Sequence, residues 1–275
     1  MKTVWHRTRH DAGVGGSDVL RSLLGERAFP FPKSLYAVRD TLAALTGHRK
    51  DAVIVDFFAG SGTTAHAAAL LNANDYGNRR CILVTNNEVS EEVAAGLNAQ
   101  NLFVGDDDYE AHGICRSVTI PRIRAAITGR DRDGSPIDGR YLNGKPYAEG
   151  FKENAAFFDL VYNDPDIVEV GAHFDLVAPL LWLAAGGLGA PPPRDFPGPW
   201  YLPGDAPYAV LFDEDHFKEF LLALCGREDV THVWLVTDSE GAFARMSVRV
   251  PGNRQLGMLY RDYLRNFAVG VGGAR

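Results

Sequence analysis

Two glycines two residues apart and a glutamate further on could together hold a nucleoside-type ligand. They are Gly60, Gly62 and Glu88, in a stretch that reads DAVIVDFFAGSGTTAHAAALLNANDYGNRRCILVTNNE from Asp51 to Glu88. Glycines let the backbone approach a ligand closely and take dihedrals that a Cβ forbids. An acid after the second strand of such a unit pairs with ribose hydroxyls. A phosphate-cradling P-loop would need Lys then Ser or Thr at the end of the glycine run, and that pair is missing. A full dinucleotide fingerprint needs a third glycine, where Thr64 and Ala65 stand instead, and this disfavours a dinucleotide-binding oxidoreductase. The residues point to an adenosine-type cofactor held without a strong phosphate cradle. A tight strand-to-helix turn with no ligand would use the same two glycines.

The elements that must position these residues are legible around them. Val53-Ile54-Val55 is a short apolar run, Ala65 to Asn72 is an alanine-rich helical segment, and Cys81 to Val84 is a second apolar run. Strand, glycine turn, helix and strand make a βαβ unit. Its two strands are expected to be parallel and adjacent, with a right-handed crossover. Ligands bind outside the carboxyl ends of such strands, where the glycine turn lies. Upstream, Leu35, Val38, Leu42 and Leu45 form the apolar stripe of a helix from about Ser34 to Thr46. Phe31-Pro32-Lys33 leads into it, with Pro suited to the start of a helix. Taken alone, Phe31 would be a core staple and Lys33 a solvated helix start.

The run DFFAGSGTT, from Asp56 to Thr64, resembles motif I of the amino-methylating DNA methyltransferases, which bind S-adenosyl-L-methionine. Phe31-Pro32-Lys33 resembles motif X of the same family. The likeness extends over about Thr3 to Gly129 and is to the C-terminal part of the β-type enzymes, including modification subunits of type III restriction systems. It implies a cofactor site made of Phe31, Pro32, Lys33, Asp56, Phe57, Phe58, Ala59, Gly60, Ser61, Gly62, Thr63, Thr64 and Glu88. It also implies methylation of adenine N6 or cytosine N4, DNA as a partner, and a possible restriction subunit. The expected architecture is α/β: a Rossmann-like S-adenosylmethionine-dependent methyltransferase portion over residues 1–129, then a smaller accessory α/β domain over 130–275.

Composition sets outer bounds. The 275 residues are 46% hydrophobic and 23% charged, as in a globular protein of one large or two small domains. No apolar run nears the ~18 residues of a membrane-spanning helix, so no membrane partner is expected. Cys81, Cys115 and Cys225 lie far apart without metal-ligand spacing, and read as reduced core residues of a cytoplasmic protein. The net charge of −7 argues against the whole chain being a free-standing nucleic-acid clamp.

The rest of the chain is organised as follows. Residues 1 to 28 form a polar, basic leading loop, in which Ser17-Asp18 could cap a short helix over Val19 to Leu24. Ser90 is a plausible cap for a helix through about Ala99. Asp106-Asp107-Asp108 opens a helical stretch to about Thr128, which Pro121 is expected to break. Arg116, Arg122, Arg124, Arg130 and Arg132 make that stretch basic, either solvated or in contact with phosphate. Asp133-Gly134, Asp138-Gly139 and Asn143-Gly144 mark turns, and the domain boundary is placed there. Phe157 to Tyr162 reads as a strand and Val177 to Ala185 as a buried helix. A second α/β pattern follows: strands over Ala209 to Phe212, His232 to Val236 and Gln255 to Leu259, helices over Glu214 to Cys225 and Glu240 to Val248. Asp213 and Asp238, at strand ends without a glycine turn, read as helix caps. Tyr260 to Phe267 mixes arginines with aromatics, as a docking amphipathic helix or a nucleic-acid contact would.

One feature of the resembled family is missing. Its enzymes orient the target amine with an Asp/Asn/Ser-Pro-Pro-aromatic tetrapeptide, which also stacks on the flipped base. Asn163-Asp164-Pro165-Asp166 and Pro191-Pro192-Pro193-Arg194 do not fit it. The family's β-type order puts that motif before motifs X and I. The chain is therefore expected to be a cofactor-binding part that does not methylate DNA alone. The alternative is a non-catalytic assembly module that needs a partner chain.

Overall fold

The computed structural model describes residues 7–26, 28–160, 174–189, 191–193 and 198–259. The Asn163–Asp166 segment and the Tyr260–Phe267 stretch lie outside the described residues. The chain divides into two compact units, Met1–Phe157 and Phe158–Arg275.

In the first unit a helical segment Gly13–Asp18 runs straight into α1 (Val19–Leu24). Asp18 has helical dihedrals and its side chain makes no capping bond, so the expected cap at Ser17-Asp18 is not used. After α2 (Leu35–Thr46) come β1 (Val53–Asp56), α3 (Thr63–Asp75) and β2 (Arg80–Leu83). Ser34 caps α2 by accepting from Ala37 N. The two strands pair in parallel, Val53 opposite Arg80 and Asp56 opposite Leu83. α3 is buried nearly all round and packs against α2. Its alanines allow this close approach, and its leucines, with those of α1 and α2, fill the core. Ile54 and Cys81, on the inner face of the strands, pack on that core.

α4 (Glu91–Asn98) is capped by Ser90. The short α5 (Asp107–Glu110) is followed by a π-type turn, Cys115–Thr119, that continues into α6 (Ile120–Thr128). The interruption thus falls before Cys115, and Pro121 sits in the first turn of α6, where a missing N–H is tolerated. The carbonyl of Ser117, four residues before Pro121, is taken by Arg132 Nη2 at 2.6 Å.

The turn-rich stretch after α6 does not separate the two units, and the boundary expected at 129/130 falls inside the first. Ile137, Tyr141, Tyr147 and Phe151 belong to its core. The chain returns onto the end of α6 through Phe151 N donating to Ile127 O. Only glycine fits at the return: a Cβ on Gly129 would stand 2.2 Å from Ala148 O, and one on Gly150 2.2 Å from Ile127 O. Residues 157–160 carry no strand.

The second unit has α7 (Phe174–Ala184), β3 (Trp200–Tyr201), β4 (Tyr208–Leu211), α8 (Phe217–Leu224), β5 (His232–Val236), α9 (Glu240–Ser247) and β6 (Gln255–Leu259). The sheet order is β3-β4-β5-β6, parallel except for β3. α7 packs on Tyr208 and Val210, while α8 and α9 pack on Ala209 and Leu211. Both faces are covered, which is why β4 is an unbroken apolar run. Asp213 accepts from Asp215 N and from the His216 ring, as a cap does. At α9 the cap is Ser239, not Asp238. Among the cysteines, Cys81 and Cys115 are half-buried but Cys225 is exposed. No described helix is long and apolar enough to cross a membrane, and the described residues hold no cluster of metal-ligating side chains.

Candidate functional site

The glycine turn sits where the βαβ order requires, between the end of β1 and the start of α3. Gly60 and Gly62 both have left-handed dihedrals, φ 50° and 72°, which cost a side-chain-bearing residue energy. Gly62 has a second reason: its Cβ would lie 3.3 Å from Thr119 Cγ2 and 3.4 Å from Thr119 O. Gly62 is also the N-cap of α3, so no side chain closes the first helical turn. First-turn N–H groups lack helical partners and, with the helix dipole, favour an anionic group.

Asp56 fastens the turn from one side. One of its carboxylate oxygens accepts from Phe58 N at 3.0 Å and the other from Thr64 Oγ1 at 2.6 Å. Ala59 N donates to Val84 O, tying the turn to the chain beyond β2. Phe57 and Phe58 are left exposed, Phe58 at 91%. Ala59, Ser61 and Thr63 are buried.

The other fastening comes from Thr119 and from Arg122, one of the arginines expected to be either solvated or in contact with phosphate. Thr119 Oγ1 donates to Gly60 O at 2.5 Å. Arg122, one helical turn on, has no exposed surface at all. Its Nη1 donates to Ser61 O, Ser61 Oγ and Thr63 Oγ1, at 3.1, 3.1 and 2.7 Å. Its Nε lies 3.4 Å from His66 Nδ1, and His66 Nε2 is 2.8 Å from Tyr141 Oη. Arg can only donate, so His66 Nδ1 is the acceptor and the proton sits on Nε2. Burial, then the Arg122 charge, holds the His66 pKa well below its ordinary value, so the ring is neutral. Burial also lowers the Arg122 pKa to about 10. The remaining arginines have local partners: Arg116 lies 3.8 Å from Asp107 Oδ1, Arg124 over the Phe157 ring, Arg130 on Gly134 O and Arg132 on Ser117 O. An i, i+3 Thr–Arg pair ahead of an apolar helix was the signal available for Thr119 and Arg122.

The other expected site residues are placed less closely. Phe31 is 82% exposed and Lys33 is exposed, while Pro32 between them is buried. The ring beside the turn is Phe29, whose Cζ is 3.6 Å from where a Cβ on Gly60 would stand. Glu88 lies five residues beyond β2, with an exposed side chain. Its carbonyl accepts from Ile114 N. The adjacent Asn87 donates to Glu110 and accepts from Arg116 N, so this segment is fixed against the start of the π-type turn.

Residues 1–112 match the family model for DNA methylases of the N6/N4 type. The type III restriction-modification enzyme EcoPI Mod subunit of Escherichia phage P1 is 38% identical over 104 residues, 37% of this chain and 16% of that protein. The type II methyltransferase M.KpnI of Klebsiella pneumoniae is 37% identical over 87 residues, 32% of this chain and 20% of that protein. The StyLTI Mod subunit of Salmonella typhimurium, also type III, is 38% identical over 89 residues, 30% of this chain and 13% of its own. The matched region thus spans a fifth or less of each relative. Residues 1–112 thus resemble DNA methylases of the N6/N4 type, and the chain is similar in part to modification enzymes of restriction-modification systems.

Proposed function

We propose that the first unit is the S-adenosyl-L-methionine-binding part of a DNA methyltransferase acting on adenine N6 or cytosine N4. The observation that carries this reading is the turn Gly60–Thr64: an uncapped helix N-terminus at the carboxyl end of a parallel strand, with exposed aromatic rings beside it. The residues fit the cofactor. The N–H groups of the helix start suit its carboxylate, Phe57, Phe58 and Phe31 offer apolar surface to the adenine, and Glu88 has an exposed carboxylate for the ribose. Calorimetry on the purified chain tests it. S-adenosylhomocysteine should bind and Gly60→Val should abolish binding, because valine resists the positive φ. Binding of NAD in place of S-adenosylhomocysteine would overturn the reading.

A second reading, a module completed by another chain, is favoured by one feature of the strands. Val53, Val55, Ile82 and Val84 share the face of β1–β2 turned away from the core, and all four are exposed. Parallel sheets are ordinarily covered on both faces. In this reading the amine-orienting residues come from a partner segment that also covers the face, and the chain alone does not methylate DNA. The two readings are compatible. Their shared partner is DNA, and a restriction subunit is a further possible partner.

A further inference from the structure

The buried arginine beneath the turn has a feature that packing does not explain. Arg122 is wholly buried, and every hydrogen-bond acceptor it reaches among the described residues is neutral. Its Nη2 has no partner among the described residues. A buried cation without a carboxylate costs several kcal/mol, and an apolar side chain of similar volume would often be more stable. What the guanidinium supplies instead is geometry. One nitrogen, Nη1, reaches the backbone of Ser61 and the hydroxyls of Ser61 and Thr63 while Nε of the same rigid plane faces His66, a pair of contacts that the single nitrogen of a lysine cannot copy. The guanidinium is oriented by neutral His66, which is itself held by Tyr141 from the turn-rich stretch that folds back on the core.

We propose that Arg122 is a positioning residue for the ligand turn: the chain Tyr141–His66–Arg122 fixes Ser61 and Thr63, and so sets the turn in its binding shape before any ligand arrives. The ligand named in the proposed function is assumed here, but the device is visible without it. A preset loop loses less conformational entropy on binding, which appears directly as affinity.

The test uses the full chain with Arg122→Lys, Arg122→Met and Tyr141→Phe, and two independent readings. Amide hydrogen exchange at Ser61, Gly62 and Thr63 is followed in the ligand-free protein, and S-adenosylhomocysteine affinity is measured by calorimetry, with thermal unfolding as a control. Arg122→Lys should fold, exchange these amides about tenfold faster and bind about tenfold more weakly, the scale of one charge-assisted hydrogen bond. A packing role alone would leave exchange and affinity of Arg122→Met and Arg122→Lys at parent values, and that result overturns the proposal. If neither Arg122 variant folds, Tyr141→Phe decides by the same two readings. If the parent chain does not bind S-adenosylhomocysteine, the cofactor reading fails, while the exchange rates still decide the role of Arg122.

Discussion

Asp40 shows at single-residue scale how the N-terminal segment is held. Arg7, Arg9, His10 and Arg39 all reach its carboxylate, at 2.6 to 2.9 Å. Three of the four come from residues 7–10, so one acid on α2 anchors a basic segment that would otherwise be a solvated arm. Burial by itself raises the Asp40 pKa, but hydrogen bonds from His10, Arg9 and Arg39 outweigh it and bring the group to about 2. A carboxylate with a folded pKa below its unfolded one favours the folded state above the unfolded value. The contribution of Asp40 is therefore complete above about pH 4 and is lost as pH falls from there towards 2. Asp40→Asn should lower the unfolding temperature near neutral pH, and its gap from the parent should close over that acidic window. A gap that stays constant down to about pH 2 would show that Asp40 acts through packing instead.

At the scale of elements, the βαβ unit was legible because its signals agree: two apolar runs, a glycine turn and an alanine-rich helix between them. Thr119 and Arg122 were not, because arginine is so seldom buried that a basic helix flank reads as a solvated one. The segment 129–151 misled for a different reason. Asp-Gly and Asn-Gly pairs announce that the chain turns, but not which body the turns pack on. The informative residues were the aromatics between them. Tyr141 stands edge-on to His66 and Tyr147, with ring centres 5.5 and 4.5 Å apart, and Phe151 closes the same cluster. This packing yields a prediction about truncation. A chain ending at residue 157 should unfold cooperatively. One ending at residue 129 loses Ile137, Tyr141, Tyr147 and Phe151 from its core, and should be unfolded or molten, because burial of each such side chain is worth about 1.5–3 kcal/mol. Circular dichroism melts of both fragments check this, and equal cooperative melts would restore the boundary at 129/130.

On the scale of the whole molecule, the two-stranded parallel sheet of the first unit and the mostly parallel sheet of the second obey the covering rule differently. In the second unit helices lie on both faces of the sheet, and β4 is buried along its length. In the first unit the two-stranded sheet turns Ile54 and Cys81 to the core and leaves Val55 50% and Ile82 54% exposed, side by side in register. Apolar side chains in adjoining positions on an uncovered face attract other apolar surface. The isolated chain should therefore bind an apolar fluorescent dye under native conditions and associate as its concentration rises. Val55→Lys combined with Ile82→Lys should suppress both, because the charges are added on the side away from the core. The same pair should leave the unfolding temperature within a few degrees of the parent, since surface substitutions away from specific features change stability by only about 0.5 kcal/mol. The outcome separates two accounts of this face. If the double variant stays folded and loses dye binding, the face is an uncovered surface waiting for a partner, as in the second functional reading. If it unfolds instead, the four side chains already pack within this chain, and that reading loses the observation it rests on.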